Sequence, residues 1–338
     1  MTVVPPETVS RSQQLVEPAL RTAVDRLAPV PRLIAGYHRG WWDADGKSLA
    51  AEAGKALRPA LAVLSAEAAG GPVEPAIPAA VAVELVHDFS LLHDDVMDGD
   101  TQRRHRPAAW AVFGAAQALL AGDAVLTLAI QVLIESRAAG REAALGALTE
   151  ATQHLVRGQF DDITFEPRTD VGIEACLQME ADKTAALLAC AASIGARSLA
   201  APAQVVEALH RYGYELGLAF QLVDDLLGIW GEPAVTGKPV LADLRAGKRS
   251  GPVVAAMRSG TPAGGELATL LADGPPATED DISRAAALVE LAGGRAWCVA
   301  EAGRRLAAAL AALDTVALPV PARQELEAVA RFVTERDR

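Results

Sequence analysis

Apolar residues recur at spacings of three and four along most of this chain, and Ala and Leu dominate them. Strand-like alternation rich in Val, Ile and Thr is scarce. A period near 3.6 marks one buried face of a helix, and Ala and Leu are strong helix formers. The pattern predicts an all-α fold, with helices over Ser10–Leu27, Ser48–Ala69, Ile77–Gly99, Trp110–Ala138, Glu142–Phe160, Ile173–Ala196, Ala203–Ile229, Pro252–Arg258, Gly265–Leu271, Glu279–Leu291, Arg295–Leu313 and Pro321–Glu335. Gly70-Gly71-Pro72, Gly260-Thr261-Pro262 and Gly274-Pro275-Pro276 punctuate them. No Ser/Pro linker or repeat divides the chain, so one domain over residues 1–338 is expected, with residues 1–9 disordered. The stretch Gly231–Gly251 is long for a loop inside a compact domain, which makes it a candidate functional loop.

Composition narrows the classes. The 338 residues are 51% hydrophobic and only 4% aromatic, with a net charge of −12. That is too apolar for a disordered chain. An acidic surface disfavours nonspecific nucleic-acid binding, and few aromatics disfavour a base-stacking platform. Cys176, Cys190 and Cys298 are odd in number and widely spaced, which suits neither a disulfide framework nor a CxxC zinc site. Residues 1–14 lack the cationic start and apolar run of a secretory leader. The most apolar stretch, Leu119–Ile134, is broken by Asp123 and Gln131 and is expected to be a buried helix rather than a membrane span. A cytoplasmic location is the resulting expectation.

Two carboxylate clusters stand out. Asp94, Asp95 and Asp98 close an apolar helix, with Asp94 and Asp98 one turn apart on one face. Asp224 and Asp225 repeat the theme between Val223 and Leu226. Stacked carboxylates repel, and a buried uncompensated charge is costly, unless a cation bridges them. Oxygen-only ligands suit Mg²⁺, which keeps several waters and also binds phosphate. The bland alternative is two solvated acidic helix ends. Cations accompany these acids: Lys55 and Arg58, Arg103 and Arg104, Lys183, Lys238 and Lys248. Cations beside metal-binding carboxylates suit a diphosphate, bridged by metal to Asp and held by Arg and Lys.

These residues, in this order, resemble the trans-isoprenyl diphosphate synthase (polyprenyl synthetase) family, most of all its bacterial geranylgeranyl-forming members. The resemblance runs from about Gly54 to Gly251. It rests on Gly54-Lys55-x-x-Arg58-Pro59, on His87 seven residues before the first aspartate motif, and on Asp94-Asp95-x-x-Asp98. Arg103-Arg104, Lys183-Thr184, Phe220-Gln221 and the loop Gly237-Lys238-Pro239, Asp243-Leu244, Gly247-Lys248 complete it. The resemblance implies a single large helical bundle of the isoprenoid synthase type around a central apolar cavity, a homodimer, and about three Mg²⁺ ions when diphosphate is bound. It implies that Asp94, Asp95, Asp98, Asp224 and Asp225 hold the metal. Arg103, Lys183, Gln221 and Lys238 would bind the allylic diphosphate, with Thr184 and Lys248 beside them. Lys55, Arg58, His87 and Arg104 would bind isopentenyl diphosphate. For His87, a satisfied core histidine is the alternative.

The chain departs from the family pattern twice. The second aspartate motif ends in Gly228 rather than Asp, and His105 stands where a Gly usually follows the Arg pair. The implied reaction is ionisation of the allylic diphosphate, attack by the isopentenyl double bond and loss of a proton, with no nucleophilic side chain required. Ser90, small, and Phe89, bulky, lie below Asp94 and would set the tunnel depth, which points to geranylgeranyl diphosphate with farnesyl diphosphate second. A class I terpene cyclase, a noncatalytic subunit of a heteromeric synthase and a purely structural bundle are the competing readings.

Overall fold

The structure, a computed structural model, describes residues 6–49, 56–231 and 240–334. Helix dominates it, as the apolar period demands. In chain order the long helices are α1 Glu7–Val24, α2 Pro29–His38, α3 Leu57–Ala68, α4 Ile77–Met97, a short α5 Ala109–Phe113, α6 Ala115–Ile134 and α7 Arg141–Phe165. Then follow α8 Ile173–Glu180, a π-helical turn Ala181–Ala185, α9 Ala186–Ser198 and α10 Ala203–Trp230. The remainder is α11 Ala242–Arg245, α12 Gly251–Met257, α13 Pro262–Leu270, α14 Glu279–Leu291, α15 Gly294–Leu313 and α16 Val320–Thr334. Among the described residues the only sheet is a two-stranded antiparallel hairpin, Gln102–Arg103 (β1) with Arg106–Pro107 (β2).

Several boundaries differ from those predicted. α1 begins at Glu7, with Thr8 and Val9 buried, so residues 7–9 are helical rather than disordered. α2 was not anticipated; Pro29 opens it, where a missing N–H costs nothing. The stretch Trp110–Ala138 is two helices, divided at Gly114 with φ +91°. Ser48 lies outside α3, in a bridge with Trp42, and α3 begins only after Ala56.

The core explains the composition. α10 packs between α9 and α15, α4 packs along α6, and α3 lies on α9. Their shared interior is largely Ala, Val and Leu: Leu61, Leu85, Val86, Leu188, Ile194 and Leu216 are fully buried. Small residues let helix axes approach, so a large bundle closes with few rings. Truncating one such Leu to Ala costs about 2–5 kcal/mol. A second apolar cluster, including Ile229, Leu244, Val253 and Leu267, anchors the short helices after α10 to its C-terminal end. Two helices are long and apolar enough to cross a membrane, Glu74–Met97 and Ala115–Ile134; the most apolar window is 72% buried in the first and 39% buried in the second.

Candidate active site

α4 and α10 each deliver an aspartate pair to the same end of the bundle. On α4, Asp94 and the capping Asp98 are partly exposed, while Asp95 is 1% exposed and turned inward. Asp95 accepts from Arg103 Nε at 2.8 Å and from Arg103 Nη2, and its Oδ2 has no hydrogen-bond partner among the described residues. On α10 the pair divides the same way. Asp224 is exposed, whereas Asp225 is buried and accepts from Gln221 Nε2 at 2.7 Å and from the Gly251 amide at 2.8 Å. One aspartate of each pair therefore faces the mouth and the other is held by the protein.

The cations meet these acids across the mouth. Lys248 Nζ lies 3.3 Å from Asp98 Oδ2, tying the segment after α11 to the end of α4. Burial works against the Lys248 charge, but Asp98, Asp162 and Asp243 outweigh it and push its pKa up. Lys183 Nζ reaches Asp162 Oδ2 at 2.5 Å, and Thr184 Oγ1 donates to Gln221 Oε1 at 2.7 Å. Lys183 and Thr184 sit in the π-helical turn, which widens the helix at the position where both must point into the mouth. Gly158 of α7 packs directly on that turn: a Cβ there would lie 2.2 Å from the Lys183 backbone nitrogen. Lys183, Thr184, Gln221, Asp224, Asp225 and Lys248 line one cavity of about 100 Å³, together with Asp162 and Asp243.

Electrostatics point to a cation at this mouth. Burial pushes Asp94 up to about 6; Asp98 adds to the shift, while Lys183, Arg103 and Lys248 oppose it. Burial likewise pushes Asp225 to about 6, and burial plus Asp225 push Glu180 well above the carboxylate range, so Glu180 is the partner that keeps a proton. The mouth thus holds more negative charge than its lysines neutralise. Its donors are carboxylate oxygens, and among the described residues no three acids converge closely enough to grip an ion alone. That donor set fits Mg²⁺, which takes the rest of its shell from water and phosphate.

A second cluster lies one helical stretch below. Burial, then Arg58 and Arg104, then His38 and Arg39, push the His87 pKa well below the ordinary value, so the ring is neutral in a cationic setting. Beneath it Arg39 bonds Asp88 at 2.6 Å and Glu84 at 3.2 Å, all three buried. Arg104 and His105 form the tight turn between β1 and β2, with φ of +52° and +60°. Such two-residue turns favour Asn or Gly, because a left-handed residue with a Cβ costs roughly 1 kcal/mol. Arg106 pins the hairpin by donating to the Tyr37 and Trp42 carbonyls at 3.1 and 3.2 Å. The pattern departure at His105 therefore strains the loop without displacing it.

Phe89 is buried on α4, its ring edge-on to His93 at 4.7 Å, over Gly122 of α6; Ser90 Oγ donates to the His87 carbonyl at 2.9 Å. Lys55 and Lys238 lie outside the described residues. Sequence reasoning missed Asp162, although Asp161-Asp162 is a third aspartate pair. It also missed Glu180 and the Arg39–Glu84–Asp88 triad, which carry no spacing signal.

Two outcomes are expected. His105→Gly relieves the turn and raises the thermal midpoint by about 1–2 °C, read by calorimetry. In metal-free protein Asp94→Asn removes a charge whose burial is unfavourable above about pH 6. Because the folded pKa is raised, native Asp94 is best tolerated below its unfolded value and penalised as pH rises. The variant is therefore more stable than the parent by about 1–3 kcal/mol at pH 8, and the difference vanishes towards pH 4, measured by denaturant titration. A pH-independent difference contradicts this account.

Comparison with known proteins accords with this geometry. Residues 41–289 match the family model described as polyprenyl synthetase. Over 328 residues, 96% of this chain and 91% of the relative, the sequence is 48% identical to a (2E,6E)-farnesyl diphosphate synthase of Mycobacterium tuberculosis. Over 324 residues, 95% of this chain and 91% of the relative, it is 44% identical to a geranylgeranyl diphosphate synthase of the same organism. The fold superposes with a TM-score of 0.91 on a polyprenyl synthetase from Streptomyces coelicolor, 50% identical, covering 96% of this chain and 98% of that one. A geranylgeranyl pyrophosphate synthase from Corynebacterium glutamicum, solved with isoprenyl diphosphate and magnesium, gives 0.80 at 28% identity, covering 98% of each chain.

Proposed function

This chain belongs to the polyprenyl synthetase family, the premise from which we propose that it condenses isopentenyl diphosphate with an allylic diphosphate to give geranylgeranyl diphosphate. The observation that carries the reading is the acidic mouth: Asp94 and Asp98 on α4 share one end of the bundle with Asp224 on α10, and Lys183 and Lys248 reach in beside them. Bound there, Mg²⁺ supplies the positive charge that stabilises a departing diphosphate. Asp94, Asp98 and Asp224 would hold it. Asp95 and Asp225 act behind them, Asp95 aiming Arg103 and Asp225 fixing Gln221. Arg103, Lys183 and Lys248 bind the allylic diphosphate oxygens, and Lys238 joins them by the family pattern.

The two substrates are told apart by charge. The allylic diphosphate goes to the acidic mouth, where metal makes it welcome. Isopentenyl diphosphate goes to the cationic pocket of Arg58, His87 and Arg104, where no carboxylate of the mouth opposes it; Lys55 belongs to this set by pattern. The buried Arg39–Asp88–Glu84 triad fixes the floor under His87. With both diphosphates clamped, the allylic carbon and the double bond meet in a dry apolar channel, and position and charge do the chemistry.

Product length follows from Phe89, a bulky ring five residues below Asp94, with small Ser90 above it. Farnesyl diphosphate is the second reading, favoured by the relative at 48% identity. The face of α6 is the natural homodimer contact, since Leu120 and Ile134 are 66% and 56% exposed on a helix of this hydropathy. The three cysteines are free and buried, which agrees with a reducing cytoplasm.

The test is incubation with isopentenyl diphosphate, Mg²⁺ and, in turn, dimethylallyl, geranyl and farnesyl diphosphates. Elongation to geranylgeranyl diphosphate, abolished by a chelator, is expected. Diphosphate release without elongation would instead indicate a cyclase. Phe89→Ala should lengthen the product; an unchanged chromatogram removes Phe89 as the floor. Light scattering should give twice the chain mass, reverting towards monomer in Leu120→Glu.

A further inference from the structure

The pocket around His87 has an anion built into its floor. Asp88 follows His87 on α4 and is 3% exposed. Its Oδ2 accepts from Arg39 Nη1 at 2.6 Å. Its Oδ1 has no hydrogen-bond partner among the described residues and lies 4.0 Å from His38 Nε2, which is buried without one as well. Glu84, one turn earlier on α4, accepts from Arg39 Nη1 at 3.3 Å and from Nη2 at 3.2 Å. Arg39 precedes Gly54, and Asp88 falls between His87 and the first aspartate motif, so neither belongs to the motifs that carry the family resemblance.

Asp88 acts on the cations around it. Desolvation works against the Arg104 charge; among its neighbours Asp88 supports that charge most and Glu84 adds to it, while Arg39 and Arg103 oppose it. The groups facing Asp88 are His38 and Arg39 from the end of α2, Glu84 and the adjacent His87 on its own helix, and Arg104 from the hairpin. Burial pushes its pKa up to about 6, with Glu84 adding to the shift and Arg39 and Arg104 opposing it. Asp88 is therefore charged at pH 8 and mostly protonated at pH 5. Elongation gives this anion a task. In each condensation the allylic C–O bond breaks and its electron pair leaves with inorganic diphosphate. The allylic carbon bonds to the isopentenyl double bond, and a proton passes to the departing diphosphate. The diphosphate kept on the product is the one that isopentenyl diphosphate brought, so it starts in the cationic pocket. It must leave that pocket for the acidic mouth before the next cycle, and a pocket that grips it too well holds the chain back.

We propose that Asp88, held by Arg39, is the counter-charge that limits the grip of Arg58, His87 and Arg104 on diphosphate, so that the lengthened chain passes from the isopentenyl pocket to the metal mouth. The proposal rests on the reading of this chain as an elongating prenyltransferase. Asp88 is a positioning residue that acts through Arg104 and does not touch substrate. Before substrate arrives its charge offsets that of Arg104; once diphosphate is bound the same charge opposes it. Glu84 balances the Arg39 guanidinium, so the charge of Asp88 is left to act on the pocket above.

The test is calorimetric titration of isopentenyl diphosphate, without metal or allylic substrate, into the full-length protein, alongside elongation assays and circular dichroism. Asp88→Asn keeps the shape and removes the charge. It should bind isopentenyl diphosphate about fivefold tighter than the parent at pH 8, and within about twofold of it at pH 5, where the parent has taken up the proton itself. In elongation from dimethylallyl diphosphate the same variant should turn over more slowly and accumulate shorter intermediates, with the KM for the allylic substrate unchanged. Glu84→Gln removes the neighbouring charge and should act in the same direction but more weakly, which keeps the proposal testable if Asp88→Asn does not fold. A merely structural role predicts weaker binding in the folded variants at both pH values, and that result overturns the proposal. Asp88→Asn binding like the parent at pH 8 overturns it as well, and so does tighter binding without accumulated intermediates. In each of these cases a parent that elongates leaves the prenyltransferase reading standing and this proposal alone falls. If the parent neither binds isopentenyl diphosphate nor elongates, both fall.

Discussion

Mutual repulsion of carboxylates in a partly buried mouth is the constraint around which this fold is arranged. Asp94 and Asp98 stack on one helix, and Asp224 shares their end of the bundle. Burial pushes the Asp94 pKa up to about 6, because Lys183, Arg103 and Lys248 offset its desolvation only in part. Lys183 and Lys248 reduce the excess and leave some of it. A bare anion would add to the problem, and among the described residues too few acids converge to hold a bare cation. A metal-bearing diphosphate satisfies both sides, which is how an acidic protein becomes a diphosphate binder.

The scaffold bears this cost by dividing labour within each aspartate pair. The inward members are held from within, Asp95 through one oxygen by Arg103 and Asp225 through both oxygens by Gln221 and the Gly251 amide, and they stiffen the groups beside the outward members. Glu180 extends the scheme, since a carboxyl that keeps its proton can donate to Asp225. Two neighbouring acids with opposite protonation are a stable arrangement where two charged ones are not. The cationic pocket around His87 is stabilised in the mirror sense by Asp88 and Glu84 beneath Arg39.

Much of this was legible in the amino-acid sequence, for identifiable reasons. Helical period and Ala/Leu content are local properties, so α4, α10, α14 and α15 were located closely. The aspartate pairs and the residues Arg103, Lys183, Gln221 and Lys248 lie in short ordered motifs and do come together. What was not legible depends on distance in space. Nothing in the spacing says that Asp95 faces inward while Asp94 faces out, because both belong to one short motif. Asp162 is far in sequence from the lysine it holds. α2 was missed; its first proline stands at the opening turn, where it does not break a helix.

Strain has a location in this molecule, and it sharpens the link between fold and chemistry. Among the described residues five non-glycine residues have left-handed φ: Ala56, Arg104, His105, Ala200 and Leu241. Three of these adjoin the proposed substrate-binding residues: Ala56 is two residues before Arg58, Arg104 is itself one of them and His105 follows it. Each costs on the order of 1 kcal/mol, and such conformations persist only where surrounding contacts over-determine them. Here those contacts are visible: Arg106 on the Tyr37 and Trp42 carbonyls, and the Leu241 amide on Ile229. The fold places three of its strained residues where a cation must stand at a fixed point before the substrates arrive, because a group already in position loses no orientational freedom at the moment of reaction.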